Sequence, residues 1–310
     1  MFGVVPKPLW ERRIPADDRN RIPLALRCLL VEHAAGPILV DTGVGNKESE
    51  KFADIYGLEN AGRRGPTQLE DALAEVGVAP GDVRFVVNTH LHFDHGGGNT
   101  FTTREEREER EEREEREERQ SGRAAGAAER QGGRVGSIRH MPHAGEGTGV
   151  GSGSPRLSFP NASYVVQKKE LDFASHTNER TAASYLEPNF APVTAADRWR
   201  LVDGEVELVP GIRLIPTPGH VPYHQSVLVM DGGETACFLA DLVPTSAHLP
   251  LPWIMGYDLE PLVTLETKRR LLGRAAEEGW ILVFEHDPER GVGRVVRHGK
   301  SYGYAALDTP

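Results

Sequence analysis

Short apolar runs separated by helix-like segments extend along most of the chain. The runs at 24–31, broken only by Arg27, and at 38–40 flank a Gly-containing connection and predict a hairpin that ends at residues 41–43. A third run at 83–87 predicts a buried strand that leads directly to Thr89 and His90. Further strands are predicted at 162–166, 204–220, 224–241 and 280–284, and the last three lead to His220, Asp241 and His286.

Helical periodicity appears between these runs. In the segment 67–77, Thr67 and Glu70 match a capping box, apolar residues share one face, and Gly77 is a typical residue just beyond a helix end. Two more helices are predicted, one from Lys168 and one over 262–278. Strands alternating with helices in two similar series predict an α/β fold of stacked sheets with helices outside.

Residues 102–155 differ from the rest in composition. A strict Arg-Glu-Glu repeat covers 104–119, and a stretch rich in Gly, Ala, Ser and Arg follows it. Glu and Arg four residues apart favour a single solvated helix, whereas the Gly-rich remainder is typical of disorder. We therefore expect one domain over 1–310, interrupted by a low-complexity insert at 102–155 that is disordered or a single helix.

Charge and cysteine content narrow the function classes. The formal net charge of −10 disfavours nucleic acid as a partner. Cys28 and Cys237 stand in apolar runs and predict buried thiols in a reducing compartment. We find no signal-like segment at the start and no window of 18 uncharged apolar residues, so the sequence predicts a soluble cytoplasmic protein without a membrane partner.

The segment 89–97 contains the candidate metal ligands. His90, His92, Asp94 and His95 place three imidazoles and a carboxylate within six positions at a strand end. Side chains two apart on an extended chain point the same way, so His90 and His92 can hold one ion, and the glycines after His95 let the chain turn away from a second. A lone histidine is usually a surface or hydrogen-bonded core residue, but four such residues at this spacing predict a metal site.

The order of several motifs resembles the metallo-β-lactamase superfamily. That family carries HxHxDH after an apolar strand, which residues 90–95 match, and LVDTG near the start, which residues 39–43 match. Its TPGH segment, its Ala-Asp step and its late histidine are matched by 217–220, 240–241 and His286. The resemblance covers nearly the whole chain outside the insert and implies a four-layer αββα sandwich.

The resemblance also implies a two-metal site. His90, His92 and His220 would hold one ion, and Asp94, His95 and His286 would hold the other. Asp241 would bridge the two ions, Asp41 would support the ligands from outside, and Asp94 and Asp241 would take part in catalysis. The ions are expected to be Zn²⁺, with iron, cobalt or manganese as alternatives.

The substrate is expected to be a small molecule. HQS after TPGH resembles the branch that opens acyl-homoserine lactones, so a lactone or related ester is the first expectation. Pro244 replaces the tyrosine that this branch often carries three residues after the bridging aspartate, and Tyr223 or Tyr257 would have to substitute for it. His248 and Tyr257 are candidates for the lining of a substrate pocket.

Other functions stay open at this point. The same fold supports phosphotriester or thioester hydrolysis, mononuclear iron oxygenation of persulfides, and non-catalytic binding. Relatives usually have an apolar strand before a segment like 1–10, so we expect either an upstream start or a sheet edge left unpaired. Such an edge would favour a homodimer.

Overall fold

The computed structural model describes residues 1–103, 155–307 and, within the insert, only 105–107, 109, 112, 113 and 116. The strands within these described residues form two large sheets and one two-stranded ribbon. The first sheet has the order β1 (Leu29–Val31), β2 (Ile38–Val40), β3 (Phe85–Val87), β6 (Ser163–Gln167) and β7 (Trp199–Val202). The second has the order β14 (Ser301–Ala305), β13 (Val292–His298), β12 (Ile281–Val283), β11 (Glu234–Phe238), β10 (Gln225–Asp231), β9 (Ile212–Pro216) and β8 (Val206–Val209). The ribbon pairs β4 (Thr100–Phe101) with β5 (Arg156–Leu157).

Both large sheets bury apolar side chains on each of their two faces. In β2, Ile38 and Val40 join the core between the sheets, and Leu39 packs in an outer core that includes Leu73. In β12 the same alternation sends Val283 inward and Leu282 toward the outer core of the second sheet. Helices Gln68–Glu75 and Pro261–Glu278 contribute to these two outer cores. The expected four-layer αββα arrangement is therefore present.

The helices begin and end where the sequence provides signals. Thr67 and Glu70 form the predicted capping box, with Thr67 N donating to the Glu70 carboxylate at 3.0 Å, and Gly77 follows the helix at φ 76°. The predicted long helix is also confirmed, with its end at the left-handed Gly279. Outside the insert, the described residues also form the α-helices Lys7–Trp10, Glu50–Tyr56, Phe93–Gly96, Lys168–Ser175 and Ala191–Ala195. None of the helices within the described ranges is long and apolar enough to cross a bilayer.

The strand polarity gathers the functional segments at one end of the sandwich. β2 runs parallel to β3, and β11 runs parallel to β12. β9 has the same direction as β11, because both are antiparallel to β10, which lies between them. Parallel strands place their carboxyl ends at one sheet edge, which is where α/β proteins commonly bind ligands. The predicted ligands lie in the segments after β3, β9, β11 and β12, and the segment after β2 carries Asp41.

The first predicted strand is shorter than expected. Only Leu29–Val31 pairs with β2, because the chain before it crosses to the other sheet. Ala25 N donates to the carbonyl of His286, and the Arg27 guanidinium donates to the carbonyl of Phe284 at 2.5 Å. Arg27, which looked like an interruption of an apolar run, therefore connects the two sheets.

The insert begins with helical residues. Residues 105–107, 109, 112, 113 and 116 are helical, and Thr103 and Glu106 cap each other's backbone N–H at 3.3 and 2.7 Å. Residues 117–154, with His140 and His143, lie outside the described residues. That the insert at 102–155 is dispensable stays a prediction.

Candidate metal centre

All seven predicted ligands come together at the strand ends. One ligand atom each from His90, His92, His220 and Asp241 forms a group within 4.8 Å, and a second group of the same size limit contains Asp94, His95 and His286. Six of these side chains are buried, whereas Asp94 keeps 26% of its side chain exposed. The structure therefore brings all seven residues together, and their role as metal ligands stays a prediction.

Tight backbone packing positions the HxHxDH segment. His92 is extended and precedes the short helix Phe93–Gly96, which carries Asp94 and His95. A Cβ atom at Gly97 or Gly98 would overlap the carbonyl oxygens of Val44 and Thr42. These glycines let the chain pack against the segment after β2, so that Asp41 lies beside His95.

Asp241 lies between the two groups. Its Oδ2 is 3.0 Å from His220 Nε2 and its Oδ1 is 3.0 Å from His286 Nε2. Ala240 precedes it at φ 46°, in the left-handed region that non-glycine residues rarely occupy. Such strain is typical of functional sites, and here it accompanies a carboxylate with one oxygen toward each group.

Hydrogen bonds behind the histidines fix which ring nitrogen carries a proton. His220 Nδ1 lies 3.0 Å from Asp258 Oδ1, and His286 Nδ1 lies 2.8 Å from the carbonyl of Ala25. Both partners only accept, so each Nδ1 donates and each neutral ring presents a bare Nε2 to Asp241. Lone pairs facing a carboxylate at 3.0 Å need a cation or a proton between them.

His90 completes this pattern. Its Nδ1 lies 3.2 Å from Thr89 Oγ1, which donates its own proton to Asp41 Oδ2 at 2.6 Å. His90 therefore donates from Nδ1, and its buried Nε2 has no hydrogen-bond partner among the described residues. A buried imidazole lone pair without a donor is costly unless an ion occupies it. The donor set of imidazoles and carboxylates fits divalent metal ions.

In the metal-free protein, the pKa values of the clustered histidines and of Asp241 reflect how close these side chains lie to one another. Burial opposes charge on His220, but Asp241 and Asp258 overcome it and raise the pKa of His220 to about 10. Burial likewise opposes charge on His286, and Asp241 raises its pKa to about 9. Burial would raise the pKa of Asp241, but His220, His95 and His286 hold it well below its usual range. Protons therefore balance the carboxylate where metal ions would do so.

Four further carboxylates in the described residues contact the ligands or the backbone between them. Asp41, predicted from the sequence, lies 3.0 Å from His95 Nδ1, and Glu285 lies 3.1 Å from the same atom. Burial raises the pKa of Glu285 to about 8. The sequence analysis missed Glu285, although it precedes His286, and Asp258, which no local pattern connects with His220. It also missed Glu170, which contacts the HxH backbone.

A cleft opens beside the first ligand group. It is lined by His92, Arg180, Thr181, Ser184, Tyr257 and Leu259. The predicted Tyr257 is therefore present, with 56% of its surface exposed. His248 is not part of this lining, because it is buried and stacks on Phe2 with ring centroids 4.4 Å apart. Both cysteines are free, and Cys237 is buried as predicted, but Cys28 is only half-buried.

Comparison with known proteins agrees with this geometry. An N-acyl homoserine lactonase from a Bacillus species is 26% identical over 277 residues, which cover 87% of this chain and 84% of the lactonase. The crystal structure of a probable metal-dependent hydrolase from Staphylococcus aureus is 26% identical with a TM-score of 0.75, covering 100% of this chain and 92% of that one. The dizinc quorum-quenching lactonase AidC shares the fold at 19% identity and a TM-score of 0.64, covering 93% of this chain and 81% of that one.

The family itself follows from a match over most of the chain. The profile of the metallo-beta-lactamase superfamily matches residues 23–286, a range that includes all seven predicted ligands. Together with the αββα layers and the two ligand groups, this match shows that the chain belongs to the metallo-β-lactamase superfamily.

Proposed function

We propose that this chain is a hydrolase that opens lactones or related carboxylic esters with two divalent metal ions. The observation that carries the proposal is the position of Asp241 between two complete ligand groups. Such a pair would leave the remaining positions on each ion for water and substrate. The lactonase relative supports the choice of an ester bond.

The residues divide between the two ions as the motifs implied. His90, His92 and His220 would hold the first ion. Asp94, His95 and His286 would hold the second, and Asp241 would contact both. When bound, such a pair lowers the pKa of a water molecule and polarises an ester carbonyl. Zn²⁺ is our first choice, although this donor set also accepts iron, cobalt and manganese.

Asp94 is the member of the set best placed to move a proton. Its side chain is 26% exposed, compared with 6% for Asp241. A partly exposed carboxylate can take a proton within the site and pass it to solvent or to a leaving alkoxide. We therefore assign proton transfer to Asp94 and ligand bridging to Asp241.

The site mouth suits a neutral substrate with an apolar part. Phe52, Tyr56 and Phe93 form an aromatic cluster, with ring centroids 4.6 to 5.2 Å apart. Phe93 lies between the ligands His92 and Asp94, so the cluster borders the metal centre. Aromatic surface beside a few polar groups is typical of sites for small molecules.

The test combines metal analysis with a substrate panel. Purified protein should contain two ions per chain and hydrolyse lactones faster than phosphotriesters, thioesters or β-lactams. A preference for phosphotriesters or thioesters would replace the substrate assignment but keep the hydrolase. One iron per chain with oxidation of a persulfide would instead support the oxygenase alternative.

A further inference from the structure

Lys268 is a fully buried lysine in the long helix Pro261–Glu278. Its Nζ lies within hydrogen-bond distance of four backbone carbonyls, those of His248 at 2.6 Å, Pro250 at 3.1 Å, Leu251 at 3.5 Å and Trp253 at 2.8 Å. An ammonium has three N–H donors, so these carbonyls use all of its hydrogen-bonding capacity. Lys268 therefore attaches the chain at 248–253 to the helix.

The segment 248–258 needs such a donor because it has little secondary structure of its own. Residues 249–258 form neither helix nor strand, and Pro250 and Pro252 have no N–H that could pair with a carbonyl. A backbone carbonyl inside a protein costs free energy unless it accepts a hydrogen bond. Lys268 therefore supplies hydrogen bonds that the segment cannot make within itself.

The other end of the same segment contacts a predicted metal ligand. Asp258 Oδ1 lies 3.0 Å from His220 Nδ1, and Asp258 Oδ2 accepts from Thr264 Oγ1 at 2.6 Å. Thr264 lies one turn before Lys268 on the helix, and both residues are buried. One face of the helix therefore anchors both ends of the segment, through Lys268 at the start and Thr264 at the end.

Lys268 and Asp258 also interact through their charges. The Asp258 side chain is buried, and a buried carboxylate is costly without a compensating positive charge. Burial lowers the pKa of Lys268 to about 7, and the Asp258 carboxylate opposes this shift. The lysine therefore stabilises the carboxylate that orients His220, in addition to holding the segment that carries it.

We propose that Lys268 is a positioning residue for the metal centre, because it holds the segment 248–258 so that Asp258 stays against His220. This inference rests on the proposed function, which assigns His220 to the first metal ion. It adds a residue from outside the ligand motifs, and this residue acts on the ion through Asp258.

The experiment measures Zn²⁺ affinity by chelator competition in a double-mutant cycle. Lys268→Met removes the N–H donors and the charge but keeps an unbranched side chain, and Lys268→Gln keeps N–H donors on a shorter side chain. Asp258→Ala removes the carboxylate through which Lys268 is inferred to act. Leu73→Ala removes apolar side-chain volume from the outer core of the first sheet, so it controls for a loss of stability elsewhere.

The Kd for Zn²⁺ should rise about 10- to 100-fold in Lys268→Met and in Asp258→Ala, as is usual when a group behind a metal ligand is removed. The double variant should lie within about threefold of Asp258→Ala, because two residues that act through one contact are not additive. Lys268→Gln should lie between the parent protein and Lys268→Met. An unchanged Kd in Lys268→Met, multiplied effects in the double variant, or an equal loss in Leu73→Ala would overturn the assignment.

Hydrogen exchange of the metal-free protein separates this inference from the proposed function. The amides of Trp253, Asp258 and Leu259 donate to backbone carbonyls, so they report whether the segment is held. Their exchange should be about tenfold faster or more in Lys268→Met, whereas Leu73→Ala should leave it unchanged. If Lys268→Met does not fold, Lys268→Gln provides both measurements.

The two proposals can then fail separately. If the parent protein binds no Zn²⁺, the proposed function fails, while faster exchange confined to this segment still supports the positioning of Asp258 by Lys268. Exchange as slow as in the parent protein would refute the inference whatever the metal content.

Discussion

Asp41 Oδ2 lies 3.0 Å from His95 Nδ1, and both side chains are completely buried. The same carboxylate accepts from Thr89 N at 2.8 Å and from Thr89 Oγ1 at 2.6 Å. Asp41 therefore orients a ligand of each metal group, His95 directly and His90 through Thr89. Carboxylates in this position make histidine a stronger ligand and fix its ring.

Asp41→Asn should therefore weaken metal binding and turnover by roughly 10- to 100-fold while the protein stays folded. Both carboxylate oxygens of Asp41 accept hydrogen bonds from Thr89 or His95. In asparagine one of these oxygens becomes an NH₂ group, which donates and cannot accept, so at least one of the contacts is lost. Chelator competition gives the metal Kd, and Asp231→Asn on an exposed strand end is the control. Parent-like affinity in Asp41→Asn would remove Asp41 from the site.

His92→Ala and Asp241→Ala should each remove at least one metal ion and most activity. The first variant deletes a ligand of one group, and the second deletes the carboxylate that lies between both groups. An unfilled ligand position lowers metal affinity and misplaces the activated water. Metal analysis after dialysis measures the loss, with the exposed His176→Ala as control. Two ions and normal turnover in either variant would refute the ligand assignment.

Metal affinity should increase with pH between about 6 and 9. In the metal-free protein Asp241 and its neighbours raise the pKa of His220 to about 10 and that of His286 to about 9, so both rings are protonated at neutral pH. A metal ion must displace these protons. Below the pKa of each ring, a rise of one pH unit should therefore increase the metal affinity roughly tenfold for each proton displaced. Calorimetry in buffers of different ionisation enthalpy counts the released protons. Binding without proton release at pH 7 would contradict this prediction.

Glu170 should couple fold stability to metal binding. Its Oε1 accepts from Leu91 N at 3.0 Å and from the Tyr185 hydroxyl at 2.9 Å, and the Tyr185 ring packs 4.7 Å from His92. Glu170→Ala leaves the Leu91 N–H buried without an acceptor, which lowers the free energy of unfolding by about 1–3 kcal/mol.

Glu170→Gln is the matched control, because its amide oxygen can still accept from Leu91. Stability is expected to fall from the parent through Glu170→Gln to Glu170→Ala, and the metal Kd should rise in that sequence. Denaturant unfolding and chelator competition provide the two measurements. Equal stability of the Gln and Ala variants would show that the contact with Leu91 contributes nothing.

Motifs with strict local spacing predicted the ligands, and long-range contacts account for what the sequence analysis missed. His90, His92, Asp94 and His95 belong to one short segment, so their spacing alone indicates a metal site. Asp258 supports His220 from 38 positions away, because the segment before the long helix folds back onto the TPGH turn. No periodicity along the chain encodes that contact.

Some local patterns also had a different structural basis from the one expected. Arg27 interrupts an apolar run, and the structure shows that its guanidinium donates to the carbonyls of Phe284 and Asp287, on either side of His286 along the chain. His248 looked like a pocket residue because of its place in the chain, but stacking on Phe2 keeps it inside. In both cases a tertiary contact outweighs local pattern, which is the usual limit of single-sequence reasoning.

The last prediction is that residues 104–154 can be replaced by a short Gly-Ser linker without loss of the metal centre. The flanking strands make this feasible, because Thr100 pairs with Leu157 and Phe101 pairs with Arg156, so the chain leaves and rejoins the fold at one place. The replacement removes the ion pair of Glu106 with Arg156 at 2.7 Å, but Arg156 is 58% exposed, and such surface pairs contribute little. Shortening a flexible loop changes its closure free energy by only about 0.6 kcal/mol per halving.

The position of the segment argues the other way, since it leaves the core a few residues after His95 and could cover the cleft. A lid must hold apolar or specific polar groups over the substrate, and an Arg-Glu-Glu repeat followed by Gly-rich sequence provides few of them. We therefore expect both metal ions to be retained and turnover of a small lactone to stay within several-fold. Loss of both metals in the replacement would show that the segment is structural. A large rise in KM with metals retained would show that it acts as a lid.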